Sequence, residues 1–278
     1  MIRLLNIELY KLFRSPRTYI TFGIAVVIMF IINLGLFTDG EELFGFLLQT
    51  ISDYFYLEGE VINGYLIAYL SLNTLWVHIP ILIIIVTAYI FSSEFEYGTI
   101  RVLLTQPISR SALLGSKIIS MIVFIICFMF IIALFAVVPS VLIFGTGDTI
   151  VFIDGIQFIL EESFIKRFLA AIGFAVISMI AFASMTMFLA LVFRNTLTSI
   201  LLSFGILILL TLLQTFVFGV FSSWQPFLFT YHTSKWQLFF MNDIPFSSIL
   251  NSVYFLIVMS GVFIGLSFFR FNKMTISE

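Results

Sequence analysis

The run EFEYGTIRVLLTQPISRSALLGSK, residues 94–117, has residue types and spacing suited to docking rather than to covalent chemistry. Glu94 and Glu96 close an apolar segment, Gly98 lets the backbone turn or a partner approach closely, and Pro107 lacks the N–H needed to continue a helix. Between them, TIRVLLTQ reads as a short amphipathic piece opened by Thr99, with Ile100, Leu103 and Leu104 on one side and Arg101 on the other. Ser109 suits an N-cap, and Ile108 before it can pack on Leu113 as a hydrophobic staple. A new helix is therefore expected to start at Arg110.

Other reactive residue types form no constellation. Gly115-Ser116-Lys117 lacks the preceding glycine and the strand of a phosphate loop, so any ATP must be bound elsewhere. Glu161-Glu162 followed by Lys166 and Arg167 bears a partial likeness to the paired glutamates of membrane-embedded CAAX-type proteases. That chemistry needs further histidines on neighbouring spans, and the chain has only His78 and His232. The single cysteine, Cys127, lies in an apolar run, which excludes an intrachain disulfide and a cysteine-based metal site.

The elements that position these residues are membrane spans. Apolar residues make up 61% of the chain and charged residues 10%, with a mean hydropathy of +1.17. Soluble domains carry about 25% charged residues, so this composition belongs to an integral membrane protein. The 36 phenylalanines are spread through the apolar runs, as expected of lipid-facing and packing bulk.

Six spans are expected at 18–37, 64–91, 117–144, 164–193, 197–221 and 249–269, with a connecting loop at 94–116. Residues 1–16 alternate Ile2, Leu5, Leu9 and Leu12 with Arg3, Glu8, Lys11 and Arg14 at helical spacing, which describes an interfacial helix rather than a signal peptide. Thr38-Asp39-Gly40 is expected to end the first span, and the mixed stretch up to Asn63 to pack back on the outer surface. Span two carries Asn73, Thr74, His78 and Pro80. The first three are candidate polar residues of a substrate path, or else interhelix hydrogen-bond glue.

Asn195 is expected to adopt the left-handed conformation that ends span four. Ala170, Ala171, Gly173, Ala175, Ser178, Ala181, Ala183 and Ser184 give span four a small-residue face. Trp224, Tyr231 and Trp236 suit the headgroup zone in a broken aromatic stretch before span six. On this assignment Arg3, Lys11, Arg14, Arg17, Arg101, Arg110, Lys117, Arg194, Arg270 and Lys273 share one side, and only Lys166, Arg167 and Lys235 the other. That division puts both termini in the cytoplasm.

The pattern E-x-E-x-G-T-x-R-x-L-L-x-x-P-x-S-R resembles the cytoplasmic loop between spans two and three in permease subunits of ATP-binding-cassette exporters of the type-2 class. The resemblance implies an all-α integral membrane protein with six transmembrane helices after an N-terminal amphipathic interfacial helix. It also implies a cytoplasmic coupling helix, and a re-entrant outer segment between helices five and six. By the same resemblance Glu94, Glu96, Gly98, Thr99, Arg101, Leu103, Leu104, Pro107 and Arg110 contact a separate ATPase subunit, and the amphipathic pattern adds Ile100.

A second permease copy, identical or homologous, and the lipid bilayer are further implied partners, with no nucleic acid. This chain would hold no cofactor; ATP and magnesium would sit in the partner subunit. The implied location is a bacterial cell membrane, and an uninterrupted apolar path with few charges favours a hydrophobic or amphipathic peptide, antibiotic or lipid as cargo over a small inorganic ion. A membrane sensor or structural protein without transport is the alternative, and an intramembrane protease a further one.

Overall fold

A computed structural model of the 278-residue chain describes residues 2–52, 62–216 and 222–274, with the side chains of 39–52, 104, 216, 222 and 223 left outside the description. Among the described residues, six helices are long and apolar enough to cross a bilayer. They are α2 (Pro16–Ser52), α4 (His78–Glu96), α6 (Arg110–Phe144), α7 (Glu161–Phe193), α8 (Thr196–Phe216) and α10 (Phe246–Lys273). An amphipathic α1 (Ile2–Arg14) precedes them, α3 (Gly64–Leu75) leads into α4, α5 (Ile100–Thr105) links α4 to α6, and α9 (Phe229–Thr233) lies between two 3-10 helices, Ser222–Phe227 and Ser234–Phe240. The chain is thus an all-α membrane protein of six spans, with one small addition described below.

Helices α6 and α7 are 35 and 33 residues long. At about 1.5 Å per residue each reaches about 50 Å, well past a hydrocarbon core of about 30 Å, so the bundle projects beyond the bilayer. The most apolar windows of α4 and α7 are 67% and 56% buried, against 11% for α8, which places α4 and α7 at the centre and α8 on the rim. Ala171, Ala175, Ser178, Ala181, Ala183 and Ser184 on α7 are buried as a small-residue face should be, whereas Ala170 and Gly173 point outward.

Several local expectations are corrected. The segment read as one span at 64–91 is two helices, broken at Trp76-Val77. Pro80 explains this, because its ring would clash with the carbonyl four residues back and it has no N–H to bond there; in the first turn of α4 neither matters. Thr38-Asp39-Gly40 does not end the first span: α2 continues to Ser52. The stretch 53–61, expected to pack on the outer surface, lies outside the described residues.

Residues 149–159 form an antiparallel hairpin, β1 (Thr149–Phe152) and β2 (Ile156–Ile159), turned at Asp154 and Gly155 with φ of 48° and 118°. The left-handed residue at the end of α7 is Arg194, φ 55°, and Asn195 instead caps α8 by accepting from the Thr198 N–H at 2.9 Å. Trp224 is exposed as a headgroup anchor should be, but Trp236 is a core residue, wedged between Tyr69, Trp76 and Phe240.

Side chains tie the hairpin end together. Asn63 caps α3 through the Tyr65 and Leu66 N–H groups and donates to the Asp148 carbonyl at 2.7 Å. Phe158 N–H donates to Asn242, whose own N–H donates to Gln157. Arg167 donates to the carbonyls of Phe239 and Met241. Gly64 lies so close to the end of α6 that an added Cβ would sit 2.6 Å from the Ser140 and Gly145 carbonyl oxygens. On the α6 flank, Ser140 donates to the buried Asn33 amide oxygen at 2.7 Å and joins α2 to α6.

Candidate functional site

Helix α4 stops at Glu96 because Gly98 takes φ of 70°, a left-handed backbone in which glycine is strain-free. Space is not the reason for glycine here, since nothing lies within 4 Å of where its Cβ would be. After the six residues of α5, Gln106 is extended at φ −76° and ψ 154°, the conformation that Pro107 imposes on its predecessor. Ser109 then accepts from the Ala112 N–H at 3.2 Å and starts α6 at Arg110. Ile108 is half-buried and Leu113 fully so, as a staple requires.

The expected contact residues divide into an inward and an outward set. Ile100 is 4% exposed and Leu103 is half-buried; both hold α5 onto the bundle instead of facing away from it. The side chain of Leu104 lies outside the described residues. Exposed are Tyr97, Gly98, Thr99, Arg101, Val102, Thr105, Gln106 and Pro107, with Val102 at 65%. Glu96 is exposed but accepts from the Thr196 hydroxyl, linking α4 to the start of α8. Arg110 is turned toward its own chain, donating to the carbonyls of Asn272 at 3.0 Å and Met274 at 2.7 Å. A guanidinium there satisfies orphan carbonyls and complements the negative end of the α10 dipole.

Glu94 is the largest departure from expectation. It is 8% exposed and belongs to a closed ring of four charges drawn from three helices. Lys11 of α1 bonds Glu8 at 2.9 Å and Glu94 at 2.8 Å, while Lys117 of α6 meets the same two carboxylates at 3.0 and 3.1 Å. The Lys117 ammonium also donates to the Ile90 carbonyl at 3.0 Å. The ring is neutral, so burial leaves no uncompensated charge, yet removing any one member strands its partners in a low-dielectric setting.

Burial alone would raise the Glu8 carboxyl, but Lys117 and Lys11 reverse this and hold it below its ordinary value of 4.5. For Lys11, burial pulls the ammonium down, and Glu94 with Glu8 more than restores it, to above 10.5. The Glu8 contribution is therefore complete above its unfolded value and is lost as pH falls through its folded one. That of Lys11 is complete below its unfolded value and is lost as pH rises through its folded one.

The candidate path residues gather at the α3–α4 break. Asn73, Thr74 and His78 are all exposed within the single chain; Asn73 accepts from Gln237 at 3.0 Å, and His78 Nδ1 lies 3.3 Å from the Thr74 carbonyl oxygen. His232 is buried. Its Nε2–H donates to the Pro226 carbonyl at 2.7 Å, which fixes the tautomer, and its Nδ1 faces Ser252 at 3.0 Å. Glu161 and Glu162 are exposed, and Arg167 is engaged with backbone carbonyls.

Sequence reasoning had Glu8, Lys11 and Lys117 only as parts of an interfacial helix and a basic side. Lys117, like Glu94, stands beside an apolar run, a position where a partner is needed, whereas Glu8 and Lys11 lie inside an amphipathic helix and carried no such signal.

Residues 4–210 match the family model described as ABC-2 family transporter protein. The matched stretch includes α5 and all four charges of the ring. The uncharacterized protein YhcI of Bacillus subtilis (strain 168) is 26% identical over 206 residues, 70% of this chain, which spans 64% of the length of that curated relative.

Proposed function

Since the chain belongs to the ABC-2 family of transporter proteins, we propose that it is the permease subunit of an ATP-binding-cassette exporter whose α5 segment docks on a separate ATPase subunit. The supporting observation is the two-sidedness of α5. Ile100 and Leu103 root it in the bundle, while Arg101, Val102, Thr105, Gln106 and Pro107 are left uncovered beyond it. The ATPase subunit would carry ATP and magnesium. Closure of an ATPase pair would press on α5, and the rigid connection through Glu94 and Lys117 would pass the displacement to α4, α6 and α1.

A second copy, identical or homologous, completes the assembly in this reading. We place it against α8, the least covered span. Asn73, Thr74 and His78 would give polarity to a path between the copies, and the 3-10 helices around α9 would dip into the outer leaflet and close it. The cargo would be a hydrophobic or amphipathic peptide, antibiotic or lipid, moved outward or extracted from the bilayer. The basic residues gathered at the α5 end support a bacterial cell membrane location with this end, and both termini, in the cytoplasm.

The test is Val102→Asp, alone and with Arg101→Glu, co-expressed with the ATPase subunit. Val102 is 65% exposed, so the variant should insert and fold as wild type. Contact energy concentrates in few anchors, and a charge buried in an apolar groove is costly, so co-purification of the ATPase should fall about tenfold or more. Unchanged co-purification together with unchanged coupled ATP hydrolysis in reconstituted membranes refutes the docking reading. Attachment of a cytoplasmic ATPase to this face also decides the orientation.

A further inference from the structure

Between the α1–α2 elbow and the facing sides of α4, α5 and α6 lies an open cavity of about 920 Å³, on the flank of the charge ring. Four basic side chains, Lys11, Arg14, Arg17 and Lys117, line it with two acids, Glu8 and Glu94, and both acids are already bonded to the lysines. Arg14 and Arg17 have no carboxylate within ion-pair reach among the described residues. Instead Arg14 lies 5.4 Å from the Tyr10 ring and Arg17 lies 3.9 Å from that of Tyr89. The Arg17 guanidinium also bonds the Tyr97 and Tyr89 side chains, and each guanidinium has further N–H donors for a planar or tetrahedral oxyanion.

Two independent features add to this. Ser15, 7% exposed and lining the same cavity, has a hydroxyl with no hydrogen-bond partner. It stands at the N-terminus of the 37-residue α2, where the helix dipole favours an anion, although Pro16 has no N–H and the Thr18 N–H donates to the Ser15 carbonyl. Surplus positive charge, an orphan buried hydroxyl and a helix N-terminus all converge at one elbow.

Depth identifies the anion. Pro16 opens an apolar span, and Tyr19, Ile20, Ile24 and Val27 on its first turns are exposed as lipid-facing residues. The elbow therefore lies at headgroup level, with hydrocarbon beginning within one turn. We infer that the α1–α2 elbow is a binding site for an anionic glycerophospholipid, its phosphate held by Arg14, Arg17 and Ser15 and its acyl chains lying along α2. A zwitterionic lipid is disfavoured because its ammonium would meet the same arginines. Tyr97 and Val102 of the docking segment share the cavity wall, so an occupied elbow would bear on the position of α5. The inference needs only a bilayer and stands whether or not an ATPase docks nearby.

The experiment uses the purified, delipidated full chain in detergent. Binding of dioleoylphosphatidylglycerol, dioleoylphosphatidylcholine and inorganic phosphate is followed by native mass spectrometry and by thermal stabilisation. Wild type should prefer the anionic lipid, and Arg14→Gln, an exposed position that leaves folding intact, should weaken that binding about fivefold. Arg14→Gln/Arg17→Gln should erase the preference, with Arg14→Lys/Arg17→Lys restoring part of it. Equal binding of the two lipids by wild type overturns the inference, as does unchanged anionic-lipid binding by Arg14→Gln. Competition by inorganic phosphate as strong as by lipid reassigns the site to a free anion, and occupancy only by an acidic segment of a co-purified protein reassigns it to a partner; either result overturns it.

Discussion

The two ends of the bundle are fastened by different chemistry. At the α5 end, helices far apart in sequence are joined by charged side chains meeting each other, with Glu8, Lys11, Glu94 and Lys117 drawing α1, α4 and α6 together. At the hairpin end, Asn63, Asn242, Gln157 and Arg167 reach mainly to backbone carbonyl and N–H groups. A side chain bonded to backbone fixes the path of one loop. A ring of side chains fixes helices relative to one another, so that whatever moves one moves the others. On the docking reading proposed above, the α5 end would carry a displacement while the hairpin end keeps a shape.

The most damaging way to test this contrast is Lys117→Met. The substitution keeps the side-chain volume but leaves Glu8 and Glu94 facing each other, buried, with only the half-exposed Lys11 between them. Breaking a buried ionic set from one side costs about 3–5 kcal/mol. Lower melting temperature and loss of α1 protection in hydrogen exchange are the expected readouts. Replacing all four charges with apolar residues of similar size should recover most of the stability while uncoupling α1 from α4 and α6.

The pH dependence has a definite sign. With Glu8 held below 4.5 and Lys11 above 10.5, the contributions of these two groups are complete between those values, that of Glu8 being lost on acidification below the first and that of Lys11 on alkalisation above the second. A wild-type stability profile that showed neither acid nor alkaline loss attributable to the ring, by comparison with the all-apolar variant, contradicts the arrangement.

At the other end the corresponding test is steric. Gly64→Ala places a Cβ 2.6 Å from two carbonyl oxygens and the Val141 Cα, all of them backbone atoms that cannot swing aside. Overpacking of this kind costs about 1–3 kcal/mol. The shift should separate α3 from the end of α6 and disturb the Gly64 N–H bond to Gly145, while leaving the α5 end unchanged. If Gly64→Ala instead altered α1 protection as strongly as Lys117→Met does, the two ends would be one mechanical unit and the contrast would fail.

What the sequence disclosed follows the same division between local and distant interactions. The spans were legible because each is a run of apolar residues, and the α5 segment because Gly98, Pro107 and Ser109 act on their immediate neighbours. The α3–α4 break was equally local: Pro80 marks it, once the clash with the carbonyl of Trp76 is considered. The hairpin was also written in the chain, as Asp154-Gly155 between two short apolar strands. The charge ring was not. Nothing in the neighbourhood of Glu8, Glu94 or Lys117 says which meets which, because that depends on how three separate helices pack. The partners of Arg110 were hidden for a related reason: the C-terminus of α10 that receives it lies more than 150 residues away in sequence.

The smallest effect is expected at Arg194, and it sharpens the picture of the α5 end. Arg194 takes φ of 55°, which a non-glycine residue adopts at a cost of about 1 kcal/mol, and its guanidinium lies 5.9 Å from the Phe95 ring, a contact worth about 0.5–1 kcal/mol. Arg194→Gly removes both terms, and glycine adds flexibility to the unfolded chain. The three nearly cancel, so the melting temperature should move by no more than about 2 °C. Arg194→Ala keeps the strained backbone and loses the contact, so it should be the less stable of the two by about 0.5 kcal/mol, the strain less the flexibility that glycine adds to the unfolded chain. That ordering separates backbone from ring. If Arg194→Ala proved as stable as Arg194→Gly, the left-handed turn would not be what shapes the short α7–α8 connection, and the Asn195 cap at the start of α8 would have to carry that role alone.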